Sequence, residues 1–361
     1  MPNKLKVGLI GGTGLVGQRL VTLLNNHPWF DVVSIAASGQ SAGKSYAEAV
    51  QGRWKLQTEM PEQVKSLMVK NAVDVQAVCD EVDFVFCTVD MNKEETKIIE
   101  EKYAQCETPV ISCNSANRMV ADVPMVIPEI NPEHLGIIDE QRKRLGTKYG
   151  FIAVKPNCSI QSYVPPIHAL KEFMPKSILA CTYQAISGAG KTFKEWPEMV
   201  DNVIPYIGGE EEKSEKEPLK VWGKIENKKI VPTQDTVITT QCIRVPVSDG
   251  HLAAVFVSFG NKPDKQTIIG LWNGYKGRPQ MLNLPSAPQP FMKYYFEDNR
   301  PQTKLDRGFG NGMGINMGRL REDSVYDYQF VCISHNPLRG AAGGAVLIAE
   351  LLKADGYLQA K

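Results

Sequence analysis

The run Gly11-Gly12-Thr13-Gly14-Leu15-Val16-Gly17 constrains this chain more than any other feature. It follows a short apolar run, Lys6–Ile10, and opens a helical stretch, Gly17–Asn26, that His27-Pro28 ends. Glycines so placed between a strand and a helix build a tight turn that seats a pyrophosphate on helix N–H groups. Gly11 permits the turn, Gly14 lets the backbone approach a phosphate, and Gly17 lets the helix pack closely on the sheet. Val32–Ala37, Asp83–Thr88 and Val110–Cys113 read as further strands, and Lys93–Gln105 has helical periodicity. Strands alternating with helices predict a doubly wound parallel sheet of the Rossmann type, and thus an α/β protein.

The texture changes after Pro156. Leu179–Ile186, Asp235–Val247 and Leu252–Phe259 are longer strand-like runs that suit a mixed or antiparallel sheet. Gly208–Lys220 reads as a charged surface helix, and Gly308–Gly318, with Gly310, Gly312 and Gly314, as a loop rather than a second cofactor turn. Arg339–Gln359 is an apolar helix. A length of 361 residues supports more than one domain. The division expected is a dinucleotide-binding Rossmann domain over 1–156 and an α+β domain with a mixed sheet over 157–335. Residues 336–361 then form a C-terminal helix that returns to the first domain.

The formal net charge of +1 gives no whole-molecule field to draw in nucleic acid or membrane, so any anion site must be built locally. There is no leader-like N-terminus and no apolar run long enough to span a bilayer, which predicts a cytoplasmic protein. The eight cysteines contain no CxxC and no metal-like pairing with the five histidines, so no metal site is expected and most should be reduced core thiols.

Ile35–Lys44 (IAASGQSAGK) follows the second strand without a carboxylate. An acid there would hold a ribose 2′-OH and repel a 2′-phosphate, so its absence, with Ser38, Ser41 and Lys44 present, favours NADP. Cys158, in Lys155-Pro156-Asn157-Cys158-Ser159, precedes a helical stretch, Ile160–Leu170, that Pro165-Pro166 bends or delays. A helix N-terminus stabilises a thiolate and can hold an oxyanion. Arg244 and His251 flank the turn Ser248-Asp249-Gly250 between two strand-like runs, as if on one hairpin facing a cleft. A histidine there can move the proton of a tetrahedral intermediate, and an arginine can hold a carboxylate.

At these residues the chain resembles the aspartate-semialdehyde dehydrogenase family, in its archaeal and fungal branch, over nearly its whole length. The motifs are GGTGLVG, AASGQSAGK, NSANRM at 114–119, DVPMVIPEIN at 122–131, PNCS at 156–159 and QAISGAG at 184–190, then GEEEK at 209–213, RVPVSDGH at 244–251 and HNPLRGAAGG at 335–344. The resemblance implies NADPH-dependent reduction of β-aspartyl phosphate to aspartate semialdehyde and inorganic phosphate, towards lysine, methionine and threonine. It implies Cys158 as a thioester-forming nucleophile and His251 as general acid/base. Gln184 would orient the acyl group beside Asn157, Arg244 would hold the substrate carboxylate, and Glu210 its amino group. Arg118 and Lys213 would bind phosphate. Gly11, Thr13, Gly14, Leu15, Val16, Ser38, Ser41, Ser187, Gly188 and Asn336 would touch the cofactor. A homodimer or homotetramer is implied, with 1–156 as the NADP-binding domain, 157–335 as the catalytic and dimerisation domain, and no nucleic-acid or membrane partner.

Gln40, where many relatives carry Arg, departs from the family pattern, as do Lys191-Thr192 and Ile243. A malonyl-CoA reductase on the same scaffold is the nearest alternative, but it needs no acid for an ammonium group, nor does an N-acetylglutamyl-phosphate reductase. A non-catalytic NADP-binding sensor would lack Cys158 or His251, and both are present.

Overall fold

A computed structural model describes residues 4–361. Leu5–Ile10 (β1), Phe30–Ala37 (β2), Val69–Asn71 (β3), Phe84–Cys87 (β4), Val110–Ser112 (β5) and Ile152–Val154 (β6) form one parallel sheet in the order β3-β2-β1-β4-β5-β6. This is the doubly wound order expected, with the topological switch between β1 and β4. β4 to β6 are buried along their whole length, which is why they read as unbroken apolar runs. β3 and β6 are additions to the four strands legible in the sequence. Each has three residues, too few to show a period.

Between β1 and Leu15–Leu23 (α1), Gly11 adopts φ +83°, and a side chain there would lie 2.5 Å from the Thr88 carbonyl oxygen. Only glycine fits that turn. The following segment is tied to it. Tyr46, at the start of Tyr46–Ala49 (α2), donates its hydroxyl to the Gly12 carbonyl at 2.9 Å. Gln18, buried in α1, donates to the carbonyls of Thr13 and Arg53 and accepts from the Lys55 N–H, all at 2.9 Å. Lys93–Gln105 (α3) has the bounds expected, with Asn92 as its N-cap accepting from the Glu95 N–H.

The second sheet comprises Pro175–Gln184 (β7), Val237–Arg244 (β10), His251–Phe259 (β11), Met292–Tyr295 (β12), Ile315–Glu322 (β13) and Tyr328–Ser334 (β14), in the order β10-β7-β11-β14-β13-β12. Lys224–Glu226 (β8) and Lys229–Val231 (β9) make a separate small ribbon. The large sheet is mixed, since β7 pairs in parallel with β10 and antiparallel with β11. This corrects one expectation: Arg244 and His251 do not flank a hairpin, because β7 lies between their strands. A β10–β11 ladder would have been local in sequence. The longer β7 displaces it and pairs with both. The glycine-rich run 308–318 is a loop to Gly314 and then enters β13, as its apolar Ile315 and Met317 require.

The last helix, Gly343–Ala354 (α5), starts later than its sequence pattern suggests, after a π-helical turn, Leu338–Ala342. Its face from Ala345 to Leu352 is buried in one apolar cluster with β1, α1 and β2. Arg339, in the π turn, is buried too. It clamps Glu129 through two 2.6 Å bonds and donates to Gln161 at 3.2 Å, which joins the DVPMVIPEIN and HNPLRG motifs to the segment after Cys158. Four cysteines, at 79, 87, 242 and 332, are fully buried, and those at 106, 113, 158 and 181 are half-buried. No helix among the described residues is long and apolar enough to cross a membrane.

Candidate active site

Segments that follow β1, β5, β6, β7 and β14 line one cavity. Gln184 pairs with Arg244 in register and His251 pairs with Ser334, so four polar residues stand side by side at one end of these strands. Cys158, four residues past the end of β6, faces them, with its Sγ 3.4 Å from His251 Nε2.

The helix expected behind Cys158 is broken. A 3-10 turn of three residues, Ser159–Gln161, follows it, and a separate helical turn covers Val164–His168. Pro165 and Pro166 have no N–H and fit only a first turn, so one continuous helix cannot form. No long dipole therefore lowers the thiol pKa. Burial raises it above its usual range and Glu210 adds to this, while Lys155, Arg118 and Arg244 pull it back.

His251 is 0% exposed. Burial, with Arg244 adding to it, pushes the ring down to about 3, so it is neutral at physiological pH. Its Nδ1 accepts the Ala185 N–H at 3.1 Å. A neutral ring that accepts at Nδ1 carries its proton on Nε2, the nitrogen that faces the sulfur.

Glu210–Val221 (α4) holds the nucleophile segment from the other side. Glu210 accepts from Asn157 Nδ2 at 3.0 Å, Gln184 Nε2 at 3.3 Å and Lys213 Nζ at 2.8 Å. Burial opposes its charge, but Lys213, Asn157 and Gln184 outweigh burial and hold the carboxyl below its usual range. One turn on, Ser214 Oγ meets Ser159 Oγ at 2.8 Å, and the Ser214 carbonyl accepts from the Tyr163 hydroxyl at 2.7 Å. After another turn, Glu217 accepts from the Asn157 backbone N–H at 2.6 Å and from Arg118 Nη1 at 3.0 Å. The Arg118 loop is fixed in turn by Lys220, whose Nζ donates to the carbonyls of Arg118, Val120 and Val123 at 2.6–2.8 Å.

One cavity of about 320 Å³ gathers most of the residues expected at the site. Arg118, Asn157, Cys158, Glu210 and Lys213 line it together with Leu15, Val16, Ser187, Gly188 and Asn336. Gln184, Arg244 and His251 are buried one layer beneath that lining. Arg244 Nη1 donates to the Ala185 carbonyl at 2.6 Å, and Asn336 bridges Ser187 Oγ to the Gly250 N–H. A side chain on Gly340 would lie 2.7 Å from Cys158 Cβ, so the π turn touches the nucleophile only because residue 340 is glycine. Ser38 and Ser41 lie apart from this cavity, on the loop after β2. Ser38 is exposed and Ser41 is 3% exposed.

Sequence reasoning missed Glu217, Lys220 and Lys155. Lys155 lines the cavity fully buried, and burial lowers it to about 8. Spacing could have found Glu217, since it stands seven residues from Glu210 on one helical face. Nothing in the sequence marks Lys220 as buried.

The residues fit a dinucleotide. Gly14 is exposed at the start of α1, caps it without a side chain, and a Cβ there would meet nothing nearer than 3.6 Å. The N-terminal N–H groups of α1 thus face open space beside the cavity, as a pyrophosphate requires.

The family model described as semialdehyde dehydrogenase, NAD binding domain, matches residues 6–138, and that described as semialdehyde dehydrogenase, dimerisation domain, matches residues 165–339. The aspartate-semialdehyde dehydrogenase of Methanothermobacter thermautotrophicus is 40% identical over 352 residues, 96% of this chain and 99% of that one. The aspartate-semialdehyde dehydrogenase of Aspergillus fumigatus is 38% identical over 365 residues, 98% of this chain and 99% of that one. Among solved structures, the aspartate semialdehyde dehydrogenase of Candida albicans with NADP superposes with a TM-score of 0.88 at 34% identity, covering 99% of this chain and 100% of that one.

Proposed function

Because the chain belongs to the aspartate-semialdehyde dehydrogenase family, we propose that it reduces β-aspartyl phosphate to aspartate semialdehyde with NADPH, through a thioester on Cys158. The pathway it would serve leads to lysine, methionine and threonine. One observation carries the reading. The cavity that holds Cys158 beside His251 is also lined by Arg118, Lys213 and Glu210, and Arg244 lies beneath it. The substrate has a phosphate, an ammonium and a carboxylate group. Two cations suit the phosphate, Glu210 the ammonium and Arg244 the carboxylate.

Cys158 Sγ attacks the acyl carbon, the carbon–oxygen bond to phosphate breaks, and the thiol proton leaves with the phosphate. The thioester carbonyl is then a hydride acceptor; NADPH supplies the hydride when bound. Leu15, Val16, Ser187, Gly188 and Asn336, which line the cavity, would hold and orient the dinucleotide. The resulting hemithioacetal oxyanion expels the Cys158 thiolate and releases the aldehyde, and the thiolate takes a proton from solvent to restore the resting thiol. His251 serves first as a hydrogen-bond donor, through Nε2–H, to the sulfur and to the adduct oxygen. Transfer of a proton through Nε2 requires Nδ1 to give up its Ala185 contact.

Purified protein with NADP⁺ and phosphate is expected to oxidise aspartate semialdehyde. Reduction of malonyl-CoA in the absence of that activity would overturn the reading. The neutral His251 gives a separate prediction. Alkylation of Cys158 by iodoacetamide should rise in a single step centred above the usual thiol pKa of about 8.5, with no plateau between about pH 6 and 8. A plateau there would reveal a thiolate–imidazolium pair and refute the neutral ring.

The second sheet supplies the remaining partner surface. On β7 and β11 fully buried residues alternate with half-buried ones, among them Cys181, Tyr183, Leu252 and Phe256. Subunits of a homo-oligomer would pair across that face, in keeping with the dimerisation-domain match.

A further inference from the structure

We propose that Arg53 is the residue that selects NADP over NAD, by holding the 2′-phosphate at the end of β2. This rests on the NADP reading above. The loop Ser38–Lys44 has no carboxylate, and Ser38, Gly39, Gln40 and Lys44 are exposed. Gln40 offers no charge, and Lys44 is the loop's one cation. Lys44 stands at the far end of that loop, exposed.

Arg53 enters the loop from outside it. Its Nη2 donates to Ser41 Oγ at 3.3 Å and to the Ala49 carbonyl. Neither acceptor is charged, and no carboxylate pairs with Arg53 among the described residues. Ser41 is buried, so its hydroxyl aims the guanidinium rather than meeting a ligand itself. The role expected for Ser41 as a direct contact thereby passes to the arginine above it.

The backbone under Arg53 is fixed relative to the cofactor turn. Its carbonyl accepts from Gln18 Nε2, which also binds the Thr13 carbonyl, and its N–H donates to the Val50 carbonyl at 2.8 Å. Tyr46 ties the same segment to Gly12. One polypeptide segment is thus bonded both to the pyrophosphate turn and to the loop where the adenosine ribose lies in this fold. A guanidinium with free N–H donors at that point suits a phosphate dianion and gives nothing to a bare 2′-hydroxyl.

The test measures Kd by calorimetry for NADP⁺, NAD⁺, 2′,5′-ADP and 5′-ADP, with wild type, Arg53→Ala and Arg53→Lys. Arg53→Ala should weaken NADP⁺ and 2′,5′-ADP by about 10–100-fold, the worth of charge-assisted hydrogen bonds. NAD⁺ and 5′-ADP should bind as before, which also shows that the variant is folded. Arg53→Lys should recover part of the loss. A wild type that favours NADP⁺, with Arg53→Ala keeping the full preference, overturns this assignment and leaves the proposed function intact. Equal weakening of NAD⁺ and NADP⁺ also overturns it, as a merely structural effect. A wild type with no preference for NADP⁺ removes the cofactor reading itself.

Discussion

Cys158→Ser should lower turnover of aspartate semialdehyde by at least about 10⁴-fold, as loss of a nucleophile does in other covalent enzymes. The hydroxyl is close to the thiol in size but far weaker as an acid, and a buried, neutral His251 is a poor base for it. The rest of the cavity, the α1 turn and Arg53 are untouched, so NADP⁺ should bind with nearly unchanged affinity. The same variant should form no acyl adduct with β-aspartyl phosphate by intact-protein mass spectrometry, whereas wild type without NADPH should gain one. Residual turnover within about 10-fold of wild type, far above what loss of a nucleophile leaves, would show that the thioester is not on the path.

Glu217→Ala should cost about 3–5 kcal/mol of stability, because it strands the buried Arg118 charge and leaves the Asn157 N–H without an acceptor. It should also cut kcat/KM by about 10²-fold, the order expected when a catalytic group is misplaced by an ångström. Glu217→Gln separates the two effects. Its amide oxygen can still accept from Asn157 N–H while the ion pair is lost, so it should keep more activity than stability. Denaturation midpoints alongside kcat and KM for phosphate measure both. An alanine variant as stable and active as wild type would show that Glu217 positions nothing.

What was legible in the sequence had a short-range cause. The glycine turn, α3 with its Asn92 cap, the acid-free end of β2 and the isolated Cys158 each announce themselves within a few residues. What was not legible depends on pairing across the chain. The turn Ser248–Gly250 looks like a hairpin, yet β10 and β11 are held apart by β7, which lies more than fifty residues upstream of β10. Cys158 looked like the start of a helix, and Pro165-Pro166 decided otherwise. Buried charge was least visible of all. Lys220 and Glu217 sit in a polar-looking stretch and Arg339 opens an apolar one, and only tertiary partners make their burial tolerable. The pairing of Lys213 with Glu210 is legible from their i, i+3 spacing on one helical face, but Glu217 as the acidic partner of Arg118 is not.

The spacing of α4 has a consequence for how this protein can vary. Glu210, Lys213, Ser214 and Glu217 share one face, because seven residues complete two helical turns to within about 20°. Exchange of outward residues such as Glu212 or Lys216 leaves that face alone. Insertion of one residue after Ser214 would rotate everything beyond it by about 100° and carry Glu217 off Arg118 and Asn157. The helix therefore has a reading frame. Its outward letters at 212 and 216 can change, but its length cannot, and a deep insertion scan should find this charged, outwardly ordinary helix as intolerant as the cysteine itself.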